Sequence, residues 1–252
     1  MTLDHFIDRL GLPPESMVNH RVPKTLLVEN GAPTAADKRQ INDGIEELRW
    51  VAALKPNTAA VAAYADESRE VLELAVLTLR LRPKAKLPRL TTLVHRAIPY
   101  HLMLVTEQAS DELHLSLADK RWSQSEGGRV VLDGDLVTCE LHAIDEVARD
   151  RLLDALPVAR QPRTDLYALY RGWINAVLAA QAASITGEFT MPDCPHRAAE
   201  RKHALRTCEA LQSRIASVRS AASKEKQLAR QVEMNIELKK LRAEYDAARA
   251  KL

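Results

Sequence analysis

The chain has 252 residues, 46% hydrophobic, 28% charged and only 4% aromatic, with 8 Gly, 12 Pro and a formal net charge of +2. That composition excludes collagen-like, mucin-like and low-complexity classes and suits one or two domains rich in helix. The small net charge conceals a division: residues 1–196 carry 22 Lys and Arg against 27 Asp and Glu, net −5, whereas residues 197–252 carry 14 against 7, net +7.

Thr2 is placed to N-cap a short helix with Leu3, Phe6, Ile7 and Leu10 on one face, ended by Gly11 and Pro13-Pro14. The stretch around Val22-Pro23-Lys24 reads as irregular. Thr34 opens a second helix in which Ile41, Ile45, Leu48 and Ala52 recur at helical spacing, stopped by Pro56-Asn57. The apolar run Val71–Arg82 predicts a central strand, with Thr58–Tyr64 as its hairpin partner or a short helix. Leu87, Leu90, Val94 and Ile98 mark another helix before Pro99. His101–Thr106, Leu113–Ala118 and Arg129–Glu140 then predict three strands, with Ser110-Asp111 turning between two of them and Gly127-Gly128 introducing the third. Residues 1–142 therefore read as an α+β domain: one antiparallel sheet with flanking helices.

After residue 142 the strand signal stops. Residues 143–186 form a predicted helical extension, 187–195 a linker, and 196–252 a basic segment without Pro or Gly. Leu211, Ile215 and Val218 form one heptad seam of that segment and Met234, Leu238, Leu241 and Tyr245 another, in different frames. The frames break between Ala221 and Leu228. A single stuttered helix of roughly 85 Å that dimerises as a coiled coil is the favoured reading, and a hairpin with Ala221-Ala222-Ser223 at its tip is the alternative. The net +7 suits either a solvated flank against an acidic surface or phosphate contact.

Three cysteines, an acidic N-terminus and the lack of an ~18-residue apolar run lead to the expectation of free thiols, a cytoplasmic location and no membrane span. Candidate chemistry is sparse. Glu73 with Asp119 and Lys120 is a weak, circularly rearranged version of a two-carboxylate and lysine nuclease site. Cys194, His196, His203 and Cys208 lack the paired spacing of a structural zinc site, so no metal is expected. Cys139 with His142 sits at the end of an apolar strand, where a buried thiol is ordinary. No Gly-rich phosphate loop occurs, so neither nucleotide hydrolysis nor any cofactor is expected. Arg21, Lys24, Lys120 and Arg121, with Trp122 for stacking, are the candidate nucleic-acid contacts.

The segments Asn19–Lys24, Ile98-Pro99-Tyr100, Asp119–Trp122 and Glu225–Lys239, in this order and spacing, together resemble the domain-of-unknown-function 4391 family over nearly the whole chain. Leu228-Ala229 stands where relatives more often carry Phe-Asn. The resemblance implies a bacterial protein encoded beside superfamily 2 helicases and DNA methyltransferases in restriction-like phage-defence loci. It assigns no catalytic residue. The expected function is a non-catalytic accessory subunit that bridges a helicase or methyltransferase partner and self-associates through residues 196–252. The alternatives are a cryptic metal-dependent nuclease and a DNA-binding module.

Overall fold

The structure, a computed structural model, describes residues 1–108, 112–124 and 128–252, and falls into two compact units, Met1–Val177 and Leu178–Leu252. The expected Ser110-Asp111 turn and Gly127 lie outside the described residues.

In the first unit, α1 (Leu3–Arg9) leads to β1 (Met17–Arg21), α2 (Lys24–Gly31), α3 (Ala35–Gly44) and β2 (Ile45–Leu54). There follow α4 (Pro56–Ala59), a small ladder of β3 (Tyr64–Ala65) with β4 (Glu70–Val71), then β5 (Leu74–Leu81), α5 (Leu87–Ala97), β6 (His101–Gln108) and β7 (Glu112–Leu117). A second ladder joins β8 (Lys120–Trp122) to β9 (Val130–Leu132), before β10 (Val137–Glu140), α6 (Glu146–Ala155) and α7 (Leu166–Thr186), which carries the chain into the second unit. The main sheet runs β1-β2-β5-β6-β7-β10. The mixed α/β class is as expected, but the sheet is not wholly antiparallel. Strands β5 and β6 are parallel, because α5 provides the crossover that a parallel pair needs.

The second predicted helix ends at Gly44, and its continuation is strand β2. The cause is two bulges. Ile45, Leu48 and Trp50 lie opposite Leu81, Leu79 and Leu77 on the face covered by α2, α3 and α5, and the register slips between Ile45 and Glu47 and between Trp50 and Ala52. Each bulge inserts one residue into the alternation, so inward positions fall three apart and imitate a helix. The antiparallel partner of β5 is accordingly β2, not residues 58–64. The predicted strand 129–140 divides into β9 and β10 around Asp133-Gly134, where Gly134 has φ +88°. Strand β1, within a stretch that reads as irregular, forms an exposed edge.

The core follows from alternation. Ala75, Leu77, Leu79, Leu102 and Leu104 meet Leu27, Ile41, Leu90 and Val94 on one face, while Val76, Met103 and Val105 point the other way and are equally buried. A sheet buried on both faces needs the dense apolar run seen in β5. Within residues 143–177, Trp173 donates its indole N–H to the carbonyl of Leu156 at 2.8 Å, and the Tyr170 hydroxyl bridges Leu102 and Ala118 at 2.9 and 3.0 Å. This part of the predicted helical extension therefore belongs to the first unit.

In the second unit, α8 (Pro195–Lys224) and α9 (Leu228–Arg249) form an antiparallel hairpin, not one continuous helix. Arg214 pairs with Glu237 at 2.7 Å, Gln212 donates to the Tyr245 hydroxyl at 3.0 Å, and Arg201 reaches the carbonyl of Leu252 at 3.1 Å. Glu225-Lys226-Gln227 make the turn, four residues beyond the tip suggested by the heptads. The Glu225 carboxylate accepts the backbone N–H groups of Lys226 and Gln227 at 2.8 and 2.9 Å, which pairs donors of the turn itself just ahead of α9. Three non-helical residues account for the change of heptad frame.

Candidate functional site

Two of the basic residues singled out as nucleic-acid contacts are helix caps. The last carbonyls of a helix lack partners within it, and a cation at that end also suits the helix dipole. At the end of α3, Lys24 donates to the carbonyls of Asn42, at 3.1 Å, and Ile45, while Arg82 donates to Asn42 and Asp43 at 3.2 Å. At the end of α5, Lys120 donates to the carbonyls of His95, at 2.8 Å, and Ile98. Lys120 is 2% exposed, and burial draws its pKa down to about 7. Burial, followed by the charges of Arg82 and Arg21, also lowers Lys24.

The four basic candidates do not form one patch. Lys24 grips Ile45, which pairs with Leu81 at one end of β5, whereas the Lys120 backbone N–H meets His101 Nε2 at 3.3 Å, and His101 pairs with Leu74 at the other end. Seven residue steps separate those ends, roughly 23 Å. Arg21 lies on edge strand β1 opposite Arg49. Arg121 pairs with Asp133 at 3.4 Å, and Trp122 is half-buried, its backbone N–H on the carbonyl of Ser68.

Asp119 and Lys120 diverge, as successive residues of an extended segment do. Lys120 turns to α5. The Asp119 carboxylate instead takes Arg171 at 2.7 Å and the Tyr167 hydroxyl at 3.4 Å. Arg69 donates to that same hydroxyl at 2.7 Å, lies 5.0 Å above the Tyr167 ring, and pairs with Asp133 at 3.2 Å. Burial, then the charge of Asp119, pushes Tyr167 up to about 12, so the phenol stays protonated. Glu73 pairs with Lys55 at 3.3 Å. These carboxylates are matched to cations and hydroxyls, and among the described residues no three His, Cys, Asp or Glu side chains converge as a metal site. Arg69, Asp133, Tyr167 and Arg171 escape sequence reasoning because they come from segments far apart in the chain and share no motif.

The thiol candidates also separate. Cys139 is buried and pushed up to about 12 by burial, which leaves no thiolate for nucleophilic work. Cys194 is exposed and Cys208 buried, while His196 faces Glu200 at 3.4 Å. A cavity of about 460 Å³ lies between the ends of α2 and α5 and the β8–β9 ladder, lined by Glu29, Arg96, Lys120 and Arg129 among others.

In the hairpin the predicted seam residues are used within one chain. Val218 and Leu238 are buried and Leu211, Ile215, Met234, Leu241 and Tyr245 half-buried. The outer side of α9 differs. Leu228, Val232 and Ile236, spaced by four, are 75%, 50% and 54% exposed. They lie roughly 150° around the helix from the seam.

The family described as Domain of unknown function (DUF4391) matches residues 10–244. The chain belongs to the DUF4391 family. That match spans both units, so the sheet and the hairpin are parts of one family architecture. No curated protein and no solved structure matches this DUF4391 chain. No helix among its described residues is long and apolar enough to cross a membrane.

Proposed function

We propose that this DUF4391 protein is a non-catalytic interaction subunit of a bacterial DNA-directed defence or restriction-modification-like assembly, and that its C-terminal hairpin grips a helicase or DNA methyltransferase of that assembly. The observation that carries the reading is the exposed row Leu228, Val232 and Ile236 on a helix whose seam is already satisfied. Three large apolar side chains in one row lose hydration cost only when another surface covers them. The partner class rests on the family resemblance. The heptad seam is occupied within the hairpin, so the docking surface proposed here is the outer row and not the seam.

Co-expression of the full chain with the helicase and methyltransferase encoded beside it, followed by size-exclusion chromatography, tests this. The wild type co-elutes with one of them, and Val232→Glu/Ile236→Glu does not. Separate elution of the wild type from both, or co-elution of the variant undiminished, would overturn the proposal.

A further inference from the structure

We infer that the Leu228, Val232 and Ile236 face of α9 receives an acidic amphipathic helix from another protein chain. This rests on the reading of the hairpin as a docking element and adds the chemistry of its partner. The row covers nine residues, eight helical steps or ~12 Å, enough for two turns of a partner offering its own apolar residues three or four apart. Lysines stand at both ends: Lys224 and Lys226 at the hairpin tip, Lys239 and Lys240 beyond Ile236. All four are exposed, and none has an ion-pair partner among the described residues. The acids nearest the row are otherwise engaged or off its line. Glu225 is held by the turn's backbone N–H groups and Glu237 is paired with Arg214, while Glu233 lies on the same flank as Lys240, so that Lys239 alone continues the line of the row.

That distribution selects among occupants. A second copy of the hairpin, packed parallel or antiparallel, would set lysine pairs against lysine pairs in either direction, a repulsion that disfavours self-association. Nucleic acid suits the lysines but leaves three apolar side chains against phosphates. A helix with an apolar stripe and carboxylates ~18 Å apart satisfies both the row and its ends.

The test uses the full chain and two labelled helical peptides of about 20 residues, each with three leucines at four-residue spacing, bracketed by glutamates in one and by lysines in the other. Fluorescence anisotropy is expected to show micromolar binding of the glutamate peptide and at least tenfold weaker binding of the lysine peptide. Val232→Glu/Ile236→Glu should lose the glutamate peptide, and Lys239→Glu/Lys240→Glu should weaken it while helix content by circular dichroism is unchanged. Equal affinity for the two peptides, or no binding of the glutamate peptide, overturns the inference. So does a wild-type dimer that Val232→Glu/Ile236→Glu converts to monomer, which would name a second copy as occupant. Duplex DNA binding lost in Lys239→Glu/Lys240→Glu but kept in Val232→Glu/Ile236→Glu would assign the face to nucleic acid. Partner co-elution without preference for the acidic peptide would leave the interaction subunit standing and remove only the acidic helix.

Discussion

Replacing Lys120 by Met probes the buried cap of α5 through its pH dependence. Lys120 titrates near an ordinary 10.5 in the unfolded chain, but burial draws it down to about 7 in the folded protein. Between those values the folded state has released a proton that the unfolded state still holds, so stability rises with pH. The slope from this one group is about 1.4 kcal/mol per pH unit, and it vanishes below pH ~7, where both states hold the proton, and above pH ~10.5, where neither does. The neutral amine keeps N–H donors for the carbonyls of His95 and Ile98, so the cap survives deprotonation. In Lys120→Met the titration disappears and those two carbonyls lose their donor, at a cost of about 1–3 kcal/mol each. Urea denaturation at about pH 7.5 and pH 9.5 should therefore show the wild type gaining on the variant by roughly 2–3 kcal/mol across that interval. The carbonyls themselves favour the ammonium and trim the figure towards its lower end. A stability gap constant to within about 0.5 kcal/mol over the interval would refute the buried, proton-releasing lysine.

Asp37 binds Arg89 through both oxygens, at 2.7 and 2.8 Å, and the hydrogen bonds from Arg89 and Thr34 hold its pKa down to about 2. That contribution is present above the ordinary 3.8 and is lost as pH falls through the folded value, so Asp37→Asn should flatten the stability profile between about pH 4 and pH 2 while leaving its shape at pH 7 unchanged. Gly31 lets α2 approach α5, since a Cβ there would stand 2.7 Å from the Leu93 carbonyl oxygen and 2.8 Å from the Ala97 Cβ. Gly31→Ala should cost about 1–3 kcal/mol in chemical denaturation. In the hairpin, Leu238→Ala should cost about 2 kcal/mol, whereas Glu237→Ala, which breaks a solvent-exposed pair with Arg214, should cost less than about 1 kcal/mol in thermal melts.

The elements legible in the sequence are those whose periodicity is undisturbed. The Thr2 cap, the α5 stripe and the buried run of β5 all occur where residue spacing placed them. Strand β2 is illegible for a local reason, since its two bulges convert a spacing of two into a spacing of three. The tail was half legible. Its heptads identify the faces that meet, yet an intramolecular and an intermolecular seam share the same pattern, and only the frame shift near residues 225–227 hints at the turn. Lys24 and Lys120 illustrate a third limit. A lysine that caps a distant helix and one that meets phosphate are identical in sequence, because the carbonyls that claim the cap come from residues 18 to 25 positions away. The apolar row on α9 was present in the sequence but hidden among seam positions until the seam had an address.

Whether the tail folds back within one chain is decided by the distance between residues 214 and 237. With Cys139, Cys194 and Cys208 replaced, spin labels at Arg214→Cys and Glu237→Cys, whose native side chains meet at 2.7 Å, should give an electron–electron distance distribution centred below about 20 Å, with label arms included. A distribution centred near 35 Å, the length of 23 residues in an unbroken helix, would contradict the hairpin and with it the outward-facing row on α9.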